Sequence, residues 1–99
     1  MEIIKTLNND ELILKIVGEL NTTTYQDLEN VISSSLNGVK SLIFDFAQLE
    51  YISSAGLRII LIAKKIMDKQ GKMIVRHANQ SVMEIFEITG FANILDFED

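Results

Sequence analysis

Short apolar runs alternate with helix-period segments along this 99-residue chain, and no proline interrupts the series. A period of two marks a strand with one buried face, and a period near 3.6 marks a helix with one apolar stripe. "EIIKTL" and "ELILKIV", parted by Asn8, Asn9 and Asp10, read as a hairpin with Leu12, Leu14 and Ile16 on one face. Gly18 is expected to end the second strand. In "NTTTYQDLENVISSSLNG", Leu28, Val31, Ile32, Ser35 and Leu36 follow helical spacing. Thr24 with Asp27 resembles a capping box, and Gly38 is the expected stop. "SLIFDF" is apolar on both faces apart from Asp45, which suits a strand covered on both sides. After a link through "AQLE" comes "GLRIILIAKKIMDKQG", a mostly buried helix with a charged rim, stopped by Gly71. "KMIVRH" reads as a strand. "NQSVMEIFEITG" reads as a short helix with Val82, Ile85 and Phe86 inward, capped by Asn79 or Ser81. "NILDF" reads as a last strand, with Phe86, Phe91 and Phe97 finishing the core.

The predicted order is β-β-α-β-α-β-α-β, an α/β fold with a mixed sheet and packed helices. The length suits one compact domain over residues 1–99, and no linker or repeat divides it. With no cysteine and one histidine, thiolate catalysis and cysteine or multi-histidine metal sites are excluded, so no metal and no cofactor is expected. The missing cysteine also fits a reducing compartment, and a cytoplasmic location is expected. The chain shows no signal-peptide pattern, and its longest apolar run, Ile59 to Ala63, is too short to span a bilayer. The net charge of −5 disfavours nucleic acid as a partner. One small domain with scattered charge is expected to be a monomer.

The stretch "YISSAGLR", residues 51–58, places two serines at a strand-to-helix junction. Ser53 or Ser54 is the natural N-cap. A nucleophilic Ser54 would need a Gly-x-Ser-x-Gly turn and a histidine base. Gly56 matches that pattern and Ile52 does not. His77 is the one available base, with Asp68 or Glu84 to orient it. The chain is small for a hydrolase and shows no oxyanion loop, so no enzymatic activity is expected and His77 reads as a strand-end residue. A phosphate acceptor at Ser54 needs no base in this chain, because a kinase supplies its own. The helix N-terminus would compensate the phosphate charge, and Ala55 and Gly56 keep the approach open.

"LIFDFAQLEYISSAGLRIILIAKK" resembles the core signature of STAS domains, and among them the bacterial anti-sigma factor antagonists. "VGELNTTT" is similar to the turn after that family's second strand. "VRHANQSVMEIFEITGFANILDF" is similar to its C-terminal stretch. The resemblance implies a partner switch in transcription regulation. An unmodified antagonist binds an anti-sigma factor that is also a GHKL-type serine kinase. The kinase phosphorylates it and the complex separates, and a PP2C-type phosphatase restores it. Carried over, the acceptor is Ser54, with Ser53 as a rival where many members have aspartate. Asn21 also stands where others carry aspartate. The C-terminal helix that often follows the last strand in the family is expected to be missing or very short. The alternative is a STAS subunit of a transport or lipid-trafficking complex with no phosphate cycle.

The C-terminal ends of adjacent strands gather binding loops. On that ground Asn21, Thr22 and Thr23 are expected beside Ser53, Ser54, Ala55 and Gly56, forming a docking corner, or else Asn21 to Thr24 only turn the chain and cap the first helix. Asp45 is read as an electrostatic element of this site, or else a cap for its own loop. Lys65, Lys69 and Lys72, with Arg58 above them, sit on one helical side and read as a solvated face, because Asp68 interrupts them and the chain is acidic, or else as a basic patch for an acidic lipid or protein.

Overall fold

In the computed structural model, which describes residues 1–98, six strands form one mixed sheet. Three α-helices and a 3-10 turn complete the described fold. The strands are β1 (Glu2–Asn8), β2 (Glu11–Leu20), β3 (Ser41–Asp45), β4 (Leu49–Ile52), β5 (Lys72–Arg76) and β6 (Asp96–Glu98). The helices are α1 (Tyr25–Ser35), α2 (Ser54–Gln70) and α3 (Gln80–Thr89), and the 3-10 turn spans Phe91–Asn93. The order along the sheet is β1-β2-β3-β5-β6, with β4 also paired to β2. The β1–β2 hairpin is antiparallel, and the other pairs are parallel.

Period-two patterning sets the core. Leu14, Phe44 and Val75 stand in register across β2, β3 and β5, and all three are buried. Ser41 to Phe44 are buried throughout, as the two-faced apolar run anticipates. Over them lie Leu28 and Ile32 of α1, Ile59, Ile60, Ala63 and Met67 of α2, and Val82 and Phe86 of α3. A buried Phe side chain of this kind contributes about 3 kcal/mol relative to exposure. Phe86 stands at the centre of an aromatic group, with ring centroids 6.2 Å from Phe46, 6.4 Å from Phe91 and 5.7 Å from Phe97.

Four local readings are corrected. First, the link "AQLE" feeds a short strand, β4. Leu49 and Ile52 face inward and Glu50 and Tyr51 face solvent. Second, Gly18 does not end β2. It sits at a bulge (φ 100) where β2 exchanges one neighbour for another: Glu11 to Lys15 pair with β3, and Gly18 to Leu20 pair with β4. Third, Thr24 is the N-cap residue of α1 but its side chain does not cap the helix. Its hydroxyl donates instead to the Glu19 carbonyl and accepts from the Asn21 amide. Fourth, Phe97 does not finish the core. Its short strand pairs with β5 on one side, and it stays 36% exposed.

The third helix follows its sequence signals. The Asn79 side chain caps α3 by accepting from the Val82 amide at 2.9 Å. Its amide nitrogen donates to the Leu49 carbonyl, which ties the start of α3 to the start of β4.

Candidate functional site

The bulge in β2 determines where the serines lie. Because Glu19 and Leu20 pair with Tyr51 and Ile52, both strands end at the same level. The Ser53 amide then donates to the Leu20 carbonyl at 2.8 Å. Asn21, Thr22 and Thr23 leave β2 beside the residues that open α2, so the two segments lie side by side. Tyr25, the first residue of α1, joins it: the Arg58 guanidinium lies 5.6 Å from its ring centroid.

The two serines have different surroundings. Ser53 is the N-cap of α2, in extended conformation, and its hydroxyl accepts from the Gly56 amide at 3.3 Å. Its carbonyl accepts from the Leu57 amide at 2.9 Å. Ser54 is the first helical residue and is exposed. Its hydroxyl has no hydrogen-bond partner among the described residues. Ser53→Ala is expected to lower stability by about 1 kcal/mol through loss of the cap. Urea denaturation checks this, and an unchanged midpoint would mean that the 3.3 Å bond holds nothing.

Ala55 is half-buried and Gly56 is buried. A β-carbon on Gly56 would lie 2.7 Å from Leu20 Cγ and 3.0 Å from Ile52 Cγ1. The glycine therefore lets the first turn of α2 rest directly on the ends of β2 and β4. That contact holds the Ser54 backbone against two core residues while its hydroxyl faces solvent.

The partnering loop is an organised turn. Asn21 Oδ1 accepts from the Thr23 amide at 2.9 Å and from the Thr23 hydroxyl at 2.8 Å. This is an Asx-type turn, in which a side chain replaces a backbone acceptor. Thr22 is exposed, and its side chain makes no hydrogen bond among the described residues. The acidic Glu19 accepts from Asn21 Nδ2 at 3.3 Å.

Two residues considered for the site lie elsewhere. Asp45 Oδ1 accepts from the Ala47 amide at 3.0 Å, so it caps its own loop. His77 follows Arg76, which pairs through Asp45 with Lys15, whereas the serines follow Ile52, which pairs with Leu20. The five steps along β2 from Lys15 to Leu20 put roughly 16 Å of strand between them. A general base must lie within about 3 Å of the hydroxyl it activates. His77 is thus no base for Ser54. Asp68 pairs with Lys64, and Glu84 accepts from Gln80, so neither is committed to His77.

A strand-end serine, a tight glycine and an organised loop thus stand side by side at the ends of β2 and β4. The sequence pattern of the STAS domain matches residues 2–99. The chain belongs to the STAS domain family. A relative of this STAS domain, BtrV of Bordetella bronchiseptica, is named as an anti-sigma factor antagonist. The two are 35% identical over 85 residues, which is 84% of this chain and 73% of BtrV. The fold resembles an anti-sigma factor antagonist from Thermotoga maritima with a TM-score of 0.89 and 22% identity, covering 98% of this chain and 86% of that one. It also resembles unphosphorylated SpoIIAA, an anti-sigma factor antagonist, with a TM-score of 0.78 and 16% identity, covering 99% and 88%. Phosphorylated SpoIIAA from Bacillus matches nearly as well, with a TM-score of 0.77 and 16% identity, covering 99% and 92%. At such identities the structures establish the fold. No helix among the described residues is long and apolar enough to cross a membrane.

Proposed function

We propose that this STAS domain is an anti-sigma factor antagonist that works by partner switching. Unmodified, it binds an anti-sigma factor that is also a GHKL-type serine kinase. Phosphorylated on Ser54, it releases that partner, and a PP2C-type phosphatase resets it. The observation that carries this reading is the contrast between the serines: the Ser53 hydroxyl is engaged in the cap and the Ser54 hydroxyl is exposed and unengaged. A kinase that took Ser53 would first break a cap contributing about 1 kcal/mol. At Ser54 the phosphate would sit over the first turn of α2, where the amides of Ser54 and Ala55 point outward and the helix dipole favours negative charge. The fold would stay and the surface would gain roughly −1.5 to −2 in charge.

Capture from lysate of the cells that make the protein tests the reading, with wild type, Ser54→Ala and Ser54→Glu as bait. A kinase-like protein held by the first two and lost with the third is expected. Retention of the same transport or scaffold subunits by all three forms would contradict the switch.

The corner loop gives a second expected outcome. Thr22→Ala weakens binding of the captured partner several-fold and leaves the melting temperature unchanged, because Thr22 holds nothing in the fold. Asn21→Ala weakens binding and also lowers stability by about 1 kcal/mol, because it removes the acceptor of the Asx turn. Titration calorimetry beside thermal melts checks both. Full affinity in both variants would remove the loop from the interface.

A further inference from the structure

The solvent side of α2 is not an interrupted charge run. Arg58, Ile62, Lys65 and Lys69 follow spacings of four, three and four, so they share one stripe, and all four are exposed. Asp68 lies off this stripe, where it pairs with Lys64. Among the described residues neither Lys65 nor Lys69 takes part in an ion pair. Lys72, read with them from the sequence, starts β5 and does not belong to the helix. Beside the stripe runs a cleft of about 140 Å³, walled by Ile59, Ile62 and Ile66 of α2 and by Glu29, Ile32 and Ser33 of α1. An apolar cavity of about 150 Å³ accommodates a benzene ring, so this one has room for one aliphatic side chain. Ile62, at the lip, is 37% exposed.

We propose that this face docks an acidic amphipathic helix of the partner protein. An aliphatic side chain enters the cleft, and carboxylates on the same helix pair with Lys65 and Lys69. The inference rests on the anti-sigma antagonist reading, and it specifies the chemistry of that partner. Charge complementarity selects the occupant. The chain carries −5 overall, so an extended polyanion or an anionic bilayer meets repulsion from the rest of the surface. A single helix lying along α2 meets the basic stripe first, with Glu29 on the α1 bank and the Lys64-paired Asp68 on the far side of α2, and charges beyond about 8–10 Å are screened. Arg58 to Lys69 spans roughly 16 Å, which corresponds to about three turns of a partner helix. Glu29 on the α1 bank sets the orientation: the acidic side of the partner lies over α2. The stripe begins one turn below Ser54, so a partner seated on it continues onto the docking corner.

Titration of isotope-labelled protein with two synthetic helical peptides tests the proposal. One carries leucines at i and i+4 flanked by glutamates; the other has lysines in place of the glutamates. The acidic peptide is expected to shift the methyl signals of Ile59, Ile62 and Ile66. Its affinity falls at least tenfold in Lys65→Glu/Lys69→Glu and in Ile62→Ser, and the lysine peptide binds at least tenfold more weakly. All substituted side chains are exposed, and thermal melts confirm that the variants fold. Unmoved isoleucine signals, equal affinity in the charge-reversed variant, or equal binding of both peptides would overturn the proposal. So would preferential binding of phosphatidylserine vesicles, or self-association in sedimentation that the charge reversal abolishes. The Ser54→Glu protein is titrated alongside. It binds the acidic peptide within about twofold of wild type, so a failed cleft leaves the Ser54 switch standing, and an absent phosphate leaves the cleft result standing.

Discussion

Alanine in place of Gly71 is expected to lower stability by about 3 kcal/mol and the melting temperature by roughly 15 °C. A β-carbon there would lie 2.0 Å from the Lys40 carbonyl oxygen, 2.7 Å from its carbon and 2.9 Å from its Cα. All three are backbone atoms, and none can rotate away. Lys40 is also held in place: its carbonyl accepts from the Lys72 amide at 3.0 Å, and its amide donates to the Asp10 carbonyl at 2.8 Å. Gly71 is fixed from its own side by a 2.7 Å bond to the Met67 carbonyl. Relief of the clash must therefore part the end of α2 from the start of β3. The Gln70 side chain would move too, since it donates to the Leu36 and Val39 carbonyls. Chemical denaturation followed by circular dichroism measures the loss. A change below about 1 kcal/mol would show that the two segments separate easily.

Ser54→Glu has the other large effect, and it falls on binding. The variant is expected to bind its anti-sigma partner at least a hundredfold more weakly, about 3 kcal/mol, with no loss of thermal stability. The sign of the stability effect follows from position. Ser54 is the first residue of α2, exposed, with no hydrogen bond to lose. A carboxylate in a first helical turn interacts favourably with the dipole by about 0.3–1 kcal/mol. The affinity loss comes from the interface, where an unpaired charge desolvated against a partner costs about 2–5 kcal/mol. Ser54→Ala, which adds no charge, stays within a few-fold of wild type. Calorimetric titration of the three proteins separates these cases. Equal affinity for glutamate and alanine variants would place Ser54 outside the contact.

How much of this is legible in the sequence differs from element to element. The buried rows of β2, β3 and β5 follow from period-two patterning, because a one-residue slip would turn every side chain out. The α2 and α3 starts are equally readable, since Ser53 and Asn79 are strong capping residues placed before an apolar stripe. β4 escaped because four residues with two apolar positions carry too little periodic signal. The strand exists through pairing with the far end of β2, a contact distant in sequence. The bulge at Gly18 is hidden for the same reason: glycine there reads as a terminator until the second partner strand is known.

The site shows the same division. The corner could be placed from strand ends alone, and the exposed serine came with it. Which of the two serines caps α2 required coordinates, because either serine can cap a helix. Lys72 misled as part of the basic side of α2, since the helix ends at Gln70 and Lys72 starts β5. Thr24 misled as a cap, because its hydroxyl is committed to closing the turn behind it. Asn21 also closes an Asx turn, so Thr22 is the cleaner probe of the proposed interface.

The most direct test of the central claim is phosphosite mapping. The protein is isolated from the cells that make it, in resting and stressed cultures, and its peptides are fragmented in a mass spectrometer. The account predicts a single phosphate on Ser54 whose occupancy changes between the two cultures, with Ser53 unmodified. Phosphate confined to Ser53, or no phosphate on either serine in both cultures, would contradict it.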